Sequence, residues 1–181
     1  ALMLHLKVVI SEKYNSETNE FVTDEFDLDM EHSLLSLSKW ESEHEKPFAT
    51  DDEKTPEEWL SYFKLMTITP NVPDDVYNCL SYENMVDIKN YIEAKRTATW
   101  FRDTRNPSLN KATITSELVY YWMFSYGIPK ECENWHFNRL MTLIRVFSVK
   151  NQPEKKKSQA EIAAENRALN AKRKAQLKTN G

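Results

Sequence analysis

The chain has 181 residues, 40% of them hydrophobic and 12% aromatic, enough to bury a real core and far from a disordered composition. Only two glycines occur, Gly127 and Gly181, so glycine-rich phosphate cradles and all-β architectures with many tight turns are both disfavoured. The net charge of −4 is unevenly spread: residues 151–181 carry eight Lys/Arg against three Asp/Glu, a net of +5, which leaves sixteen against twenty-five, a net of −9, on the rest.

Leu2, Leu4, Leu6, Val8 and Ile10 alternate with their neighbours, as do Phe26, Leu28 and Met30; this is the period of strands with one apolar face. The polar residues 11–20 between them suit extension and reversal, so residues 2–30 read as a β-hairpin. An isolated hairpin is marginal in water and must pack on helices or add a strand to another sheet. The apolar start is short, lacks a cationic leader and runs into polar sequence before it could span a bilayer. A soluble protein is expected.

From Ser33 the period becomes helical, with Leu34, Leu37 and Trp40 on one stripe and Pro47 ending the run. Thr55-Pro56-Glu57-Glu58 is a helix start: Thr55 caps, Pro56 suits the first position, and Glu58 can bond back to the cap. Trp59, Phe63 and Met66 form the apolar stripe of that helix. Ser81 is read as the cap of a further helix bearing Met85, Ile88 and Ile92, and residues 102–108 read as an exposed loop. Thr115-Ser116-Glu117 opens the next helix, which stops at Gly127 with Pro129 behind it. Asn134 begins the last core helix, where Phe137, Leu140, Met141, Leu143, Ile144 and Phe147 make a broad apolar face. Ser158-Gln159-Ala160-Glu161 is a second capping box for a helix rich in Ala, Lys, Arg, Gln and Glu. With only Ile162, Leu169 and Leu177 as a sparse apolar line, that helix is expected to project and to order against a partner.

The sequence thus predicts a mainly α (α+β) fold: a β-hairpin over 1–30, a compact helical domain over 31–150, and a basic linker with a projecting C-terminal helix over 151–181.

Candidate chemistry is sparse. His32 and His44 with Glu41, Glu43 and Glu45 could suggest a metal, but their spacing matches no zinc motif and a solvated helix face is the preferred reading. Cys132 and His136, four apart, could face each other on one helix as a nucleophile and base; no orienting group accompanies them, and a His136 that caps or hydrogen-bonds within the domain is preferred. Cys79 and Cys132 are too few for a disulfide framework, which fits a reducing compartment. The aromatics Tyr120, Tyr121, Trp122, Phe124 and Tyr126 could stack bases, yet a stacking platform comes with interleaved Lys/Arg and residues 112–127 contain none. They are read as core on one face and partner contact on the other. Lys155-Lys156-Lys157 and Lys172-Arg173-Lys174 are read as a solvated basic tail, since nucleic-acid binding through it alone would be weak and salt-sensitive.

The stretch Thr115-Ser116-Glu117-Leu118-Val119-Tyr120-Tyr121-Trp122-Met123, together with residues 135–145 from Trp135-His136-Phe137 to Leu143-Ile144-Arg145, resembles a family of tailed-bacteriophage tail assembly (morphogenesis) proteins of the tail assembly chaperone type. Glu31-His32-Ser33-Leu34, Ser38-Lys39-Trp40-Glu41, Lys46-Pro47-Phe48, Pro153-Glu154-Lys155-Lys156-Lys157 and Asn166-Arg167-Ala168-Leu169-Asn170 extend the resemblance over most of the chain. The resemblance supplies no catalytic residue. Its motif residues fall on Trp40, Lys46, Glu117, Trp122, Trp135, His136, Asn138, Arg139 and Arg145, either as structure or as contact surface.

The expected protein is therefore a non-enzymatic phage protein without cofactor or metal, binding other phage structural proteins of the tail or capsid in the host cytoplasm. Its alternatives are a component of the mature virion (tail, neck or capsid) and a nucleic-acid binder using the basic tail; nucleic acid is disfavoured, and no membrane partner is expected. The expected contact residues on the C-terminal helix are Ile162, Leu169, Leu177, Lys172, Arg173 and Lys174. An acidic body and a basic tail also permit self-association.

Overall fold

A computed structural model describes residues 3–50, 52–101, 113–151 and 159–177; the side chains of 159–162 and 174–177 are not among those described. Two antiparallel strands, β1 (Leu4–Asn15) and β2 (Glu20–Met30), open the chain, followed by helices α1 (Leu34–His44), α2 (Pro56–Met66), α3 (Asp74–Asn78), α4 (Tyr82–Glu93), α5 (Ser116–Ser125), α6 (Phe137–Asn151) and α7 (Gln159–Leu177). The chain separates into two compact units, Ala1–Phe147 and Ser148–Gly181. The fold is mixed α+β and mainly helical, as the sequence predicts.

The hairpin is longer than its apolar alternation. Pairing runs from Leu4↔Met30 to Asn15↔Glu20, so residues 11–15 of the polar stretch and residues 20–24 continue both strands. The register holds them there through cross-strand side chains: Ser11 Oγ donates to Asp24 at 2.8 Å, and the Tyr14 and Phe21 rings lie 5.2 Å apart. Such pairs stabilise a ladder without burial. Ile10 bulges between the pairs Val9↔Glu25 and Ser11↔Asp24. Leu6, Val8, Leu28 and Met30 are buried, while residues beyond the bulge lie at the surface. Only the base of the hairpin is anchored: Ile68 N–H donates to Asp29 O at 2.8 Å, and Asn84 Nδ2 donates to Lys7 O at 3.0 Å.

The capping signals are used. Thr55 Oγ1 accepts from Glu58 N at 3.2 Å, and the Glu58 carboxylate accepts from Thr55 N at 2.9 Å. Ser33 pairs with Ser36 and Ser81 with Asn84 in the same reciprocal way. Thr115 caps α5, and Gly127 at φ 66 turns the chain out of that helix. The expected cap at Ser158 and the loop at 102–108 lie outside the described residues.

Three readings of the helices need correction. Asn134 lies in a 3-10 turn, Lys130–Asn134, and α6 begins at Phe137, because His136 is drawn into a β-bridge with Ser33 and Phe137 N–H donates to His32 O at 2.9 Å. Met85 is 41% exposed, whereas Ile88 and Tyr91 carry the buried face of α4. In α2, Tyr62 is fully buried beside Phe63 and Met66, and Trp59 is only half-buried; a tyrosine counts as polar in a periodicity pattern but buries well when its hydroxyl finds a partner. The short α3 was not legible either, starting after Pro73 with no side-chain cap.

Candidate functional site

The residues that invited a catalytic reading serve the interior. His32 is 3% exposed. Its Nδ1 lies 2.6 Å from the Tyr62 hydroxyl, which is 3.1 Å from Ser36 Oγ, and its backbone N–H donates to the Tyr91 hydroxyl at 3.2 Å. His136 donates from Nε2 to Tyr91 O at 2.8 Å. A carbonyl only accepts, so the neutral ring carries its proton on Nε2 and leaves Nδ1 as a bare acceptor; that atom is buried without a partner among the described residues. The two imidazoles meet edge to face, centroids 5.1 Å apart. Burial, and then the neighbouring His136, lower the His32 pKa to about 3. Burial likewise lowers that of His136. Both rings are held neutral.

Glu41 is 8% exposed, and its two carboxylate oxygens accept from Phe48 N at 2.8 Å and Ser116 N at 2.7 Å. The solvated-face reading therefore fails for His32 and Glu41. Their side chains satisfy backbone donors and ring hydroxyls that burial would otherwise strand. Cys132 sits in the 3-10 turn and His136 beyond it, so the two do not share a helix. Burial raises the Cys132 thiol pKa, the opposite of an activated nucleophile. Among the described residues, no group of three or more His, Cys, Asp or Glu is placed to hold a metal ion.

The residues that carry the family resemblance divide between core and surface. Trp40 is fully buried and donates from Nε1 to Glu58 O at 3.1 Å; Lys46 pairs with Glu58. Asn138 Nδ2 donates to Ile92 O at 2.9 Å and to Ala94 O at 3.0 Å, tying α6 to the C-terminal end of α4. Arg139 and Arg145 instead sit over aromatic rings, their guanidinium carbons 4.3 Å from the Trp135 centroid and 4.2 Å from the Phe101 centroid.

The exposed apolar surface lies elsewhere. On α5, Val119 and Met123 are buried, while Tyr121 and Phe124 of the aromatic run are 65% and 61% exposed. At the distal hairpin Tyr14, Phe21 and Val22 are 54%, 71% and 54% exposed. The sheet has two strands. Apart from a single bridge at Met30↔Thr67, no further strand covers its outer edges among the described residues. The hairpin expected over residues 2–30 includes this arm; its pairing beyond Ile10 is one that no apolar alternation marks.

The C-terminal helix forms as α7 (Gln159–Leu177). Leu169 is 48% exposed, and Lys172 and Arg173 are exposed. Ile162, Lys174 and Leu177 lie on the same helix, with side chains outside the described set. No helix among the described residues is long and apolar enough to cross a membrane.

No known protein family, curated protein or solved structure matches this chain.

Proposed function

We propose that this chain is a non-enzymatic docking protein that binds other structural proteins during assembly of a phage tail or virion, with the hairpin arm and α7 as its contact elements. The observation that supports the reading best is the distal hairpin, whose two unpaired edges and exposed Tyr14, Phe21 and Val22 offer a partner both a backbone template and apolar anchors. Strand addition satisfies the orphan donors and acceptors of an edge, and alternate side chains then select the partner. The exposed Leu169 of α7 adds an anchor that its own helix cannot bury. A few anchors of about 1.5 to 3 kcal/mol each suit docking in a multivalent assembly.

The phage setting rests on the sequence resemblance. In that setting the protein would act in the host cytoplasm during assembly, either as a transient chaperone or as a component retained in the virion. Affinity purification from phage-infected cells, with nuclease and moderate salt, tests the reading. Phage structural proteins should be recovered in stoichiometric amounts; partners that vanish with nuclease would favour a nucleic-acid binder. Mass spectrometry of purified virions separates the two forms, since only a retained component is abundant there.

A further inference from the structure

The acidic body carries one surface of opposite character. Residues 95–101, which follow α4, and α6 together line two depressions. One, about 380 Å³, is lined by Arg96, Trp135, Arg139 and Thr142 among others. Its neighbour, about 350 Å³, shares Thr97, Thr99 and Thr142 with it and adds Lys95, Trp100, Phe101 and Arg145. No Asp or Glu lines either one among the described residues. Cation and ring alternate along this surface: Lys95 Nζ is 4.2 Å from the Trp100 centroid, Arg145 is 4.2 Å from Phe101, and Arg139 is 4.3 Å from Trp135. None of these cations, nor Arg96, joins an ion pair among the described residues.

We infer that this groove between residues 95–101 and α6 binds single-stranded nucleic acid, the Lys95, Arg96, Arg139 and Arg145 cations taking phosphates and the Trp100 ring stacking a base. The criterion that disqualified the aromatic run of α5, absence of interleaved Lys/Arg, is met here. A guanidinium stacked on a ring keeps its N–H edges free for phosphate oxygens and is held in place beforehand. Trp100 is 76% exposed, with Lys95 Nζ over its ring; a planar base uses such an indole, and the carboxylates of an acidic peptide do not. Threonine hydroxyls between the cations add neutral donors to a sugar-phosphate backbone. The groove uses none of the residues assigned to the hairpin and α7 contacts, so either proposal can fail alone.

Fluorescence anisotropy of an end-labelled oligo-dT of about twelve nucleotides, with the full chain at about 100 mM salt, tests the groove. The wild-type chain should bind. Arg139→Glu with Arg145→Glu should weaken binding at least about tenfold. Trp100→Ala, which changes no charge, should weaken it at least about fivefold, and Trp100→Phe should restore most of the loss. Full-length protein with Lys172→Gln, Arg173→Gln and Lys174→Gln should retain binding. Circular dichroism confirms that each variant is folded. No binding by the wild-type chain, loss only in the tail variant, or an oligoglutamate peptide competing equally while Trp100→Ala has no effect would each overturn the inference, the last pointing to an acidic protein partner.

Discussion

Glu41 accepts the backbone N–H of Ser116 at 2.7 Å across 75 residues of sequence, so the C-terminal part of α1 holds the first turn of α5. The other carboxylate oxygen takes Phe48 N at 2.8 Å. A carboxylate at a helix start also meets the positive end of its dipole. Glu41→Ala leaves two donors without their acceptor, at about 1 to 3 kcal/mol each. Urea denaturation of the variant should show a loss of about 2 to 5 kcal/mol, and Glu41→Gln, which keeps one acceptor oxygen, a smaller one.

That bond explains much of what the sequence could and could not give. Local signals were legible: the caps at Thr55 and Ser81, the helical starts near Ser33 and Thr115 and the stop at Gly127 depend on residues within one turn, and the structure uses all of them. Long-range uses were not legible. Glu41 looks like any surface glutamate until Ser116 is beside it, and His136 stays outside α6 because Ser33 pairs with it from far away. The basic groove joins Lys95 and Trp100 to Arg139 and Arg145, residues with no shared motif, so only the packing of the post-α4 segment on α6 reveals it. The hairpin over residues 2–30 was legible from its apolar alternation, whereas the cross-strand contacts beyond the bulge, Ser11 with Asp24 and Tyr14 with Phe21, were not.

Stability should fall in acid. Both buried histidines are neutral in the fold, and His32 is held down to about 3, whereas in the unfolded chain such a ring takes a proton near pH 6.5. Their contribution is complete above pH 6.5 and is lost as pH falls from there towards the folded value, because the unfolded state then binds more protons. For His32 alone the loss by pH 5 is about 2 kcal/mol. Chemical denaturation between pH 7.5 and 4.5 checks this, and His32→Gln should flatten the slope while lowering stability at neutral pH.

Gly127→Ala should cost about 1 kcal/mol. A Cβ there meets nothing within 4 Å, so the cost comes from φ +66 and not from a clash. Gly127→Asn should cost less, since asparagine tolerates that conformation better. Thermal unfolding of both variants measures the difference.

Deleting residues 154–181 should leave the unfolding midpoint of the body nearly unchanged. Every buried hydrophobic residue among those described lies between Leu6 and Ile144, within the first compact unit. The truncated chain should nevertheless lose assembly with its partner if α7 supplies part of the contact. Calorimetry and co-purification of the truncated protein read the two effects separately.

The docking account is tested most directly at the tip of the hairpin. Tyr14 and Phe21 pair across the strands yet remain 54% and 71% exposed, so Tyr14→Ser with Phe21→Ser should cost the fold no more than about 1 kcal/mol. The decisive measurement is quantitative recovery of phage structural proteins with the tagged full-length chain from infected cells, wild type against this double variant. The account predicts at least about a tenfold drop in recovery, as expected when one buried aromatic anchor is lost, with circular dichroism unchanged; undiminished recovery by a folded double variant would contradict it.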